Sequence, residues 1–336
     1  MIAAPKIQGL RRSRATVRIK FRLNPMAALN RAYEYHESVL LAETVERLAP
    51  APGRVFLDGT IGGGGHAAAL LEAGVKLIGL DQDAEALDFA KLRLAEYDDR
   101  FLPVRSSFAE VGEVLEATGV ARIDGALLDL GVSSRHLDAP ERGFSFMREG
   151  PLDMRMDARG LTTAADLVNA LSGEELERIF REFGEERAAR RIAERIVTVR
   201  SAKPILTTLE LAQVVESVVP RHGRAHPATR IFQALRIAVN RELEVLAEGL
   251  AQISARLAPG GRFAVITFHS LEDRIVKEFF KSRSVPTLDR PEWPAARPNP
   301  DCIFRKITGK PVVASAAEQR ANPRSRSAKL RVVERL

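Results

Sequence analysis

The chain has 336 residues, room for about two domains. Its 45% hydrophobic and 28% charged residues are ordinary for a soluble globular protein, and no apolar run approaches the ~20 residues of a membrane helix. Cys302 is the sole cysteine, which excludes an internal disulfide and a cysteine-rich metal site and fits a reducing cytoplasm.

The net charge of +7 belongs to the two ends. Residues 1–31 hold eight Lys/Arg and no acid, and residues 281–336 hold thirteen basic and five acidic residues. Between them, 32–280 carries 30 basic and 39 acidic residues, so a polyanionic partner is allowed but not demanded. The first segment, with Arg11, Arg12, Arg14, Arg18, Lys20 and Arg22, reads as a disordered basic extension over 1–31. It lacks the apolar stretch of a secretory signal; a transit peptide, an RNA-binding arm or a true start at Met26 would share its composition.

From residue 53 the pattern alternates strand and helix. Arg54 to Asp58 is an apolar run ending in an acid, followed by Gly59-Thr60-Ile61-Gly62-Gly63-Gly64-Gly65-His66 and a small-residue helix from Ala67. Lys76 to Leu80 predicts the second strand, ending at Asp81; Phe101 to Val104 the third; Gly125 to Leu130 the fourth. This order implies a parallel sheet covered by helices on both faces. The fifth strand, Arg262 to Phe268, comes only after about 130 residues, where a crossover needs little more than a dozen, so a mostly helical module is inserted. Within it, Ser172 and Glu175 form a capping box ahead of the stripe Leu176, Ile179, Phe180 and Phe183. A later helix carries Ile231, Leu235, Ala238 or Val239, and Leu246 on one face. Residues 281–300 read as a loop.

Glycines where a strand turns into a helix allow positive φ and close approach of a ligand to the backbone, and Gly62-x-Gly64-x-x-Ala67 fits that fingerprint. Asp81 ends the second strand, 23 residues past Asp58, where an acid accepts ribose hydroxyls. Together they indicate an adenosine-containing cofactor without separating NAD from S-adenosylmethionine. Asp129 closes the fourth strand at the ligand-binding edge. The long aperiodic stretch after it, through Arg142–Met147 and Gly150–Asp157, suggests a functional loop or lid, or a plain connector. At the end of the fifth strand Ser270 with Asp273 resembles a helix cap, and His269 is either catalytic or closes that turn. No second histidine stands at metal-ligand spacing, so no metal is expected. Arg187, Arg191 and Arg195 recur every four residues and either bind phosphates or form a solvated face with Glu186 and Glu194. Residues 135–241 carry 18 basic and 15 acidic residues against 8 and 18 in 32–134, so the insert is the more cationic part of the body.

Several long motifs in fixed order make the chain resemble the bacterial 16S rRNA cytosine-N4 methyltransferases of the RsmH/MraW family. They are His36 to Leu41, Asp58-Gly59-Thr60 with Gly62 to His66, Leu127 to Ser134, Arg142 to Met147, Gly150 to Asp157, His226 to Arg230, Phe268 to Lys277 and Asn322 to Ser327. The resemblance runs from about residue 33 to the C-terminus; the first 25 or so residues exceed the usual family start. It implies an α/β fold: a class I, Rossmann-like methyltransferase core over 32–140 and 242–336, with an inserted helical substrate-recognition domain over 141–241. It implies a cytoplasmic enzyme using S-adenosylmethionine, with 16S rRNA or the small ribosomal subunit as partner, no membrane, and an oligomer left open. By motif position Gly64, Gly65, His66, Asp81, Phe108, Asp129 and His136 would line the cofactor site, although relatives commonly carry Gln where His136 stands. Asp129 is the candidate catalytic acceptor for the cytosine N4 hydrogen, or contacts the cofactor alone, with His269 a second catalytic candidate. A catalytically silent ribosome assembly factor and an NAD-dependent oxidoreductase are the alternatives.

Overall fold

The computed structural model describes residues 38–221, 226–289 and 292–336. The basic extension 1–31 lies outside the described residues, as do the first two residues of the His36 to Leu41 motif.

In chain order the core begins with α1 (Leu41–Leu48), β1 (Val55–Asp58), α2 (Gly65–Glu72), β2 (Lys76–Asp81), α3 (Ala84–Arg93), β3 (Phe101–Arg105), α4 (Val111–Ala117) and β4 (Ile123–Asp129). Then follow α5 (Ser134–Asp138), α6 (Ala164–Ala170), α7 (Gly173–Glu182), α8 (Ala189–Arg200), α9 (Thr208–Glu216), α10 (Ala228–Asn240) and α11 (Glu242–Arg256). The chain returns as β5 (Leu257–Thr267), α12 (Ser270–Ser282), a small hairpin of β6 (Thr287–Leu288) and β7 (Arg297–Pro298), β8 (Phe304–Lys306), α13 (Ala316–Ala321) and β9 (Lys329–Arg335).

The main sheet has the order β3-β2-β1-β4-β5-β9-β8. Strands β1 to β5 run parallel, while β9 is antiparallel to both β5 and β8. Neighbouring residues along a strand face opposite ways, and the burial follows that period. Phe56, Leu77, Leu127 and Ala264 enter one buried cluster, and Leu57, Ile78, Leu128 and Val265 enter the cluster on the other face. A sheet buried on both faces explains why these strands read as continuous apolar runs. Strand order reverses between β1 and β4, which opens a crevice beyond their carboxyl ends.

A third buried cluster belongs to the helices between β4 and β5, with Leu176, Phe180, Ile192, Ile196, Ile231 and Leu235 at its centre. Ser172 caps α7 as expected, its side chain accepting from Glu175 N at 3.2 Å while the Glu175 carboxylate accepts from Ser172 N. The single later helix expected through Leu246 is two. Arg241 takes φ 50° between α10 and α11, so Ile231 and Leu235 serve the insert while Leu246 packs under the sheet. The stretch after residue 140 is a packed connector: Leu152, Met154 and Met156 are buried in the insert cluster, and Asn240 bonds Met156 N and the Met154 carbonyl, both at 2.8 Å. Residues 281–300 include the end of α12 and the small hairpin as well as loop.

Candidate active site

The turn after β1 is tied to both neighbouring strand ends. Thr60 Oγ1 accepts from Asp129 N at 2.7 Å, and Asp81 Oδ2 accepts from Gly62 N at 3.0 Å. Gly64 caps α2 with φ 71°, a left-handed conformation that favours glycine. A Cβ on Gly65 would lie 2.0 Å from Ser38 Oγ, so that position admits no side chain unless Ser38 moves. The backbone of this turn is thus bare and held open at the reversal of strand order.

Three strand ends and one helix set acids around it. Asp58 is buried, and burial pushes its carboxyl up to about 7 despite the bond from Thr60 N, with Asp81 adding to the rise. Asp81 accepts Gly62 N on one oxygen and Asp83 N on the other, and burial raises its carboxyl. Asp129 is raised well above the carboxylate range, first by burial and then by the charges of Asp58 and Glu272. Its Oδ1 is shut from solvent with no hydrogen-bond partner among the described residues. His66 is buried, with Nε2 3.1 Å from the Val39 carbonyl and Nδ1 3.5 Å from Asp129 Oδ2. Phe108 sits between the end of β1 and α11: a Cβ on Gly249 would lie 2.3 Å from its ring, and one on Gly59 3.0 Å from its Cβ.

Two candidates have ring nitrogens engaged by the protein itself: both in His136, and Nδ1 in His269. His136 Nδ1 accepts from Ser133 N at 3.3 Å, which makes Nε2 the protonated nitrogen; it donates to Asp83 Oδ2 at 2.7 Å. The ring also stacks on Phe144, centroids 4.8 Å apart. Arg142 donates to the same Asp83 oxygen at 2.8 Å and to the carbonyls of Arg155 and Met156. Burial would raise Asp83, but the bonds from His136 and Arg142 outweigh it and hold the carboxyl far below its usual range. Asp83 and Arg142 were not among the expected site residues.

His269, rather than Ser270, caps α12. Its side chain accepts from Glu272 N, and Glu272 Oε2 accepts from Phe268 N and His269 N at 2.8 and 3.3 Å. The cap fails to fall on Ser270 and Asp273 because Ser270 Oγ donates to Glu185 of the insert at 2.7 Å, and Asp273 pairs with Lys329 and Arg331. Glu242 joins His269 and Glu272 to form a group of three donors. However, Arg236 grips Glu242 through both oxygens at 2.8 Å, and capping through Nδ1 leaves His269 Nε2 protonated, 3.0 Å from Glu272 Oε1. Two of the three are thus engaged within the protein, Glu242 by Arg236 and His269 by the helix cap. Of the three arginines expected on one helix face of the insert, Arg191 and Arg195 lie within α8 and Arg187 precedes it. Arg191 donates to the Val218 carbonyl and Arg195 to Ser217 Oγ, with all three guanidinium groups on the surface.

A parallel sheet with this reversal, a glycine turn tied to acids on flanking strands, and an antiparallel β9 beside β5 define a class I methyltransferase, whose cofactor is S-adenosylmethionine. The profile of the MraW methylase family matches residues 33–336, and the chain belongs to that family. Two relatives are each named ribosomal RNA small subunit methyltransferase H. The one from Syntrophotalea carbinolica is 53% identical over 307 residues, covering 90% of this chain and 98% of the relative. The one from Trichlorobacter lovleyi is 51% identical over 309 residues, with coverage of 90% and 98%. A solved rRNA methylase from Streptococcus thermophilus is similar at 11% identity and a TM-score of 0.41, covering 90% of this chain and 99% of its own.

Proposed function

We propose that this protein transfers a methyl group from S-adenosylmethionine to N4 of a cytosine in the decoding region of 16S rRNA, acting in the cytoplasm on the small ribosomal subunit or its RNA. The observation that carries this reading is Asp129: a carboxyl at the end of β4, beside the glycine turn, with one oxygen shut from solvent and unpartnered. The cofactor supplies an electrophilic methyl on a sulfonium cation. A cation fits an edge where the carboxyls of Asp58 and Glu272 lie near enough to Asp129 to raise it, and a bare backbone at Gly64 and Gly65 fits a ligand that must lie close to the chain.

Asp81 keeps lone pairs beyond those used by Gly62 N and Asp83 N, and these would take ribose hydroxyls. Phe108 would give the adenine an apolar wall. His66, counted among the cofactor residues, turns its ring to Asp129 instead, and His136 serves by fixing the connector. The cytosine N4 is a weak nucleophile because its lone pair is delocalised into the ring. An acceptor at Asp129 would draw on an N4 hydrogen and hold N4 in line with the methyl, and orientation alone can supply several kcal/mol, about 7–11 in the best intramolecular cases. A stacked base must first be turned out into the pocket. We assign that delivery to the insert, with boundaries at 141 and 241.

The test is methyl transfer to small subunits from a strain lacking the modification, followed by nucleoside mass spectrometry. N4-methylcytidine is expected, with a fall of at least about 100-fold for Asp129→Asn, the lower range for losing a general base. A methyl found on another atom, or full activity in the variant, would refute the assignment. Protection by NAD but not by S-adenosylhomocysteine would favour an oxidoreductase, a reading that membership of a methylase family disfavours.

A further inference from the structure

On the reading that Asp129 faces the sulfonium, the proton it carries becomes part of cofactor binding. His66 lies in the first turn of α2, 6% exposed. Its Nε2 is 3.1 Å from the Val39 carbonyl oxygen. A carbonyl only accepts, so Nε2 carries a hydrogen. In a neutral ring Nδ1 is then a bare lone pair, and it stands 3.5 Å from Asp129 Oδ2. A carboxylate there would set lone pair against lone pair. A hydrogen on the carboxyl directed at Nδ1, or an imidazolium, relieves that opposition, and both place one proton between the two groups.

The surroundings select the first state. Burial lowers His66 to about 4, so the ring stays neutral. Burial raises Asp129, and the charged groups facing it, Asp58 from β1 and Glu272 from α12, raise it further. Asp81 adds its charge to Asp58 from β2. Arg236 and His269 act on Glu272.

We propose that Asp129 and His66 hold one proton between them, and that a sulfonium cation entering beside Asp129 expels it. His66 is then a positioning residue, whose bare Nδ1 orients the hydrogen of the neutral Asp129 until the cofactor is bound. In the step the Oδ2–H bond breaks, the proton passes to solvent, and the carboxylate is left to face the cation and to accept from N4–H. Nothing is oxidised or reduced. S-adenosylhomocysteine is a neutral thioether and lacks the charge that drives the step, so it binds with Asp129 still protonated. A ligand shifts such an equilibrium only by its differential affinity for the two states. Below the pair's own pKa, affinity for S-adenosylmethionine therefore falls about tenfold per pH unit while that for S-adenosylhomocysteine stays flat. The site would hold its substrate over its product more strongly as pH rises.

The experiment is calorimetric titration of the full chain with each ligand, from pH 5 to 8, in buffers of different ionisation heat. At the acid end S-adenosylmethionine should release up to one proton and S-adenosylhomocysteine none, and Asp129→Asn should abolish the difference. Ring-nitrogen NMR, with His66→Asn to assign the signal, should show an Nε2–H ring whose Nδ1 accepts a hydrogen bond; that bond should vanish with S-adenosylmethionine only. Equal proton release for the two ligands, release that survives in Asp129→Asn, or an Nδ1–H ring in the free protein overturns the proposal while leaving the methyltransferase reading intact. Failure of S-adenosylmethionine to bind at any pH overturns both.

Discussion

Asp83 is where the connector after β4 is fastened to the core, and replacing it tests that fastening. Its side chain, 7% exposed, accepts from Glu85 N at 3.0 Å, from His136 Nε2 at 2.7 Å and from Arg142 Nη1 at 2.8 Å. Asp83→Ala removes the cap of α3, worth about 1 kcal/mol. It also leaves the buried imidazole of His136 without a partner for Nε2 and the half-buried Arg142 with only its two carbonyl bonds and Glu85 nearby, and breaking a buried pair costs about 3–5 kcal/mol. The losses overlap, so about 3–5 kcal/mol is expected in total. Asp83→Asn keeps a capping oxygen and loses only the charge on its bonds, for about 1–3 kcal/mol. The sign with pH follows from the depressed carboxyl. Its contribution is present above the unfolded pKa of about 4 and is lost as pH falls through the folded value. The gap between wild type and Asp83→Ala should therefore narrow in acid. Urea unfolding followed by circular dichroism at pH 7 and pH 3 measures it. A loss under about 1 kcal/mol at pH 7, below the usual cost of the cap alone, or a gap that widens in acid, refutes the reasoning.

Asp81→Ala should weaken S-adenosylmethionine binding by about 1.5–3 kcal/mol, the range for a hydrogen bond to a charged group; unchanged affinity in calorimetry removes Asp81 from the site. Asp58, 1% exposed and pushed up to about 7, holds its proton to higher pH in the folded chain than in the unfolded one. Its contribution without ligand is therefore full below pH about 4 and declines towards pH 7, by up to about 4 kcal/mol at about 1.4 per pKa unit. Asp58→Asn should remove that slope, and thermal melts of both proteins across pH 4–8 that run parallel would contradict it. Changing Arg187, Arg191 and Arg195 together to Gln should raise the KM for small subunits and flatten the salt dependence of RNA binding, with cofactor affinity unchanged. An unaltered salt slope would make these residues a solvated face.

Strands β1, β2 and β4 were legible because each is apolar on both faces and ends in an acid, Asp58, Asp81 and Asp129; β8 and β9, with Arg305, Lys306, Lys329, Arg331 and Glu334 among their residues, gave no such signal. What stayed hidden needed partners far apart in the chain. Asp83 meets His136 and Arg142 across 53 and 59 residues, and no periodicity links them. The connector looked like a lid because Leu152, Met154 and Met156 alternate with exposed or half-buried residues yet belong to no strand of the sheet; they are buried in the insert instead, with Met154 at φ 64°. The break at Arg241 was equally silent, since arginine carries no signal for a left-handed backbone. The cap of α12 was misplaced by one residue because a histidine side chain did the work usually given to serine.

The position of the insert has its own consequence. The chain leaves the sheet directly after Asp129 and re-enters through α11 and β5, whose end leads into the His269 cap. Both crossings therefore flank the edge where the acids gather. A third tie joins them: Glu185, at φ 48° in the turn between α7 and α8, accepts from Ser270 Oγ at 2.7 Å and lies 3.5 Å from Arg274. The backbone there is held, since a Cβ on the preceding Gly184 would stand 2.7 Å from the carbonyls of Phe180 and Arg230. On the proposed delivery of RNA by the insert, these crossings and the exposed Glu185 contacts would set where the base meets the edge. That fixes the expectation for Glu185→Gln: cofactor affinity unchanged, small-subunit KM unchanged, and kcat reduced, because orientation of the base rather than its capture is what the tie controls. A rise in KM at constant kcat would show instead that the tie serves binding alone.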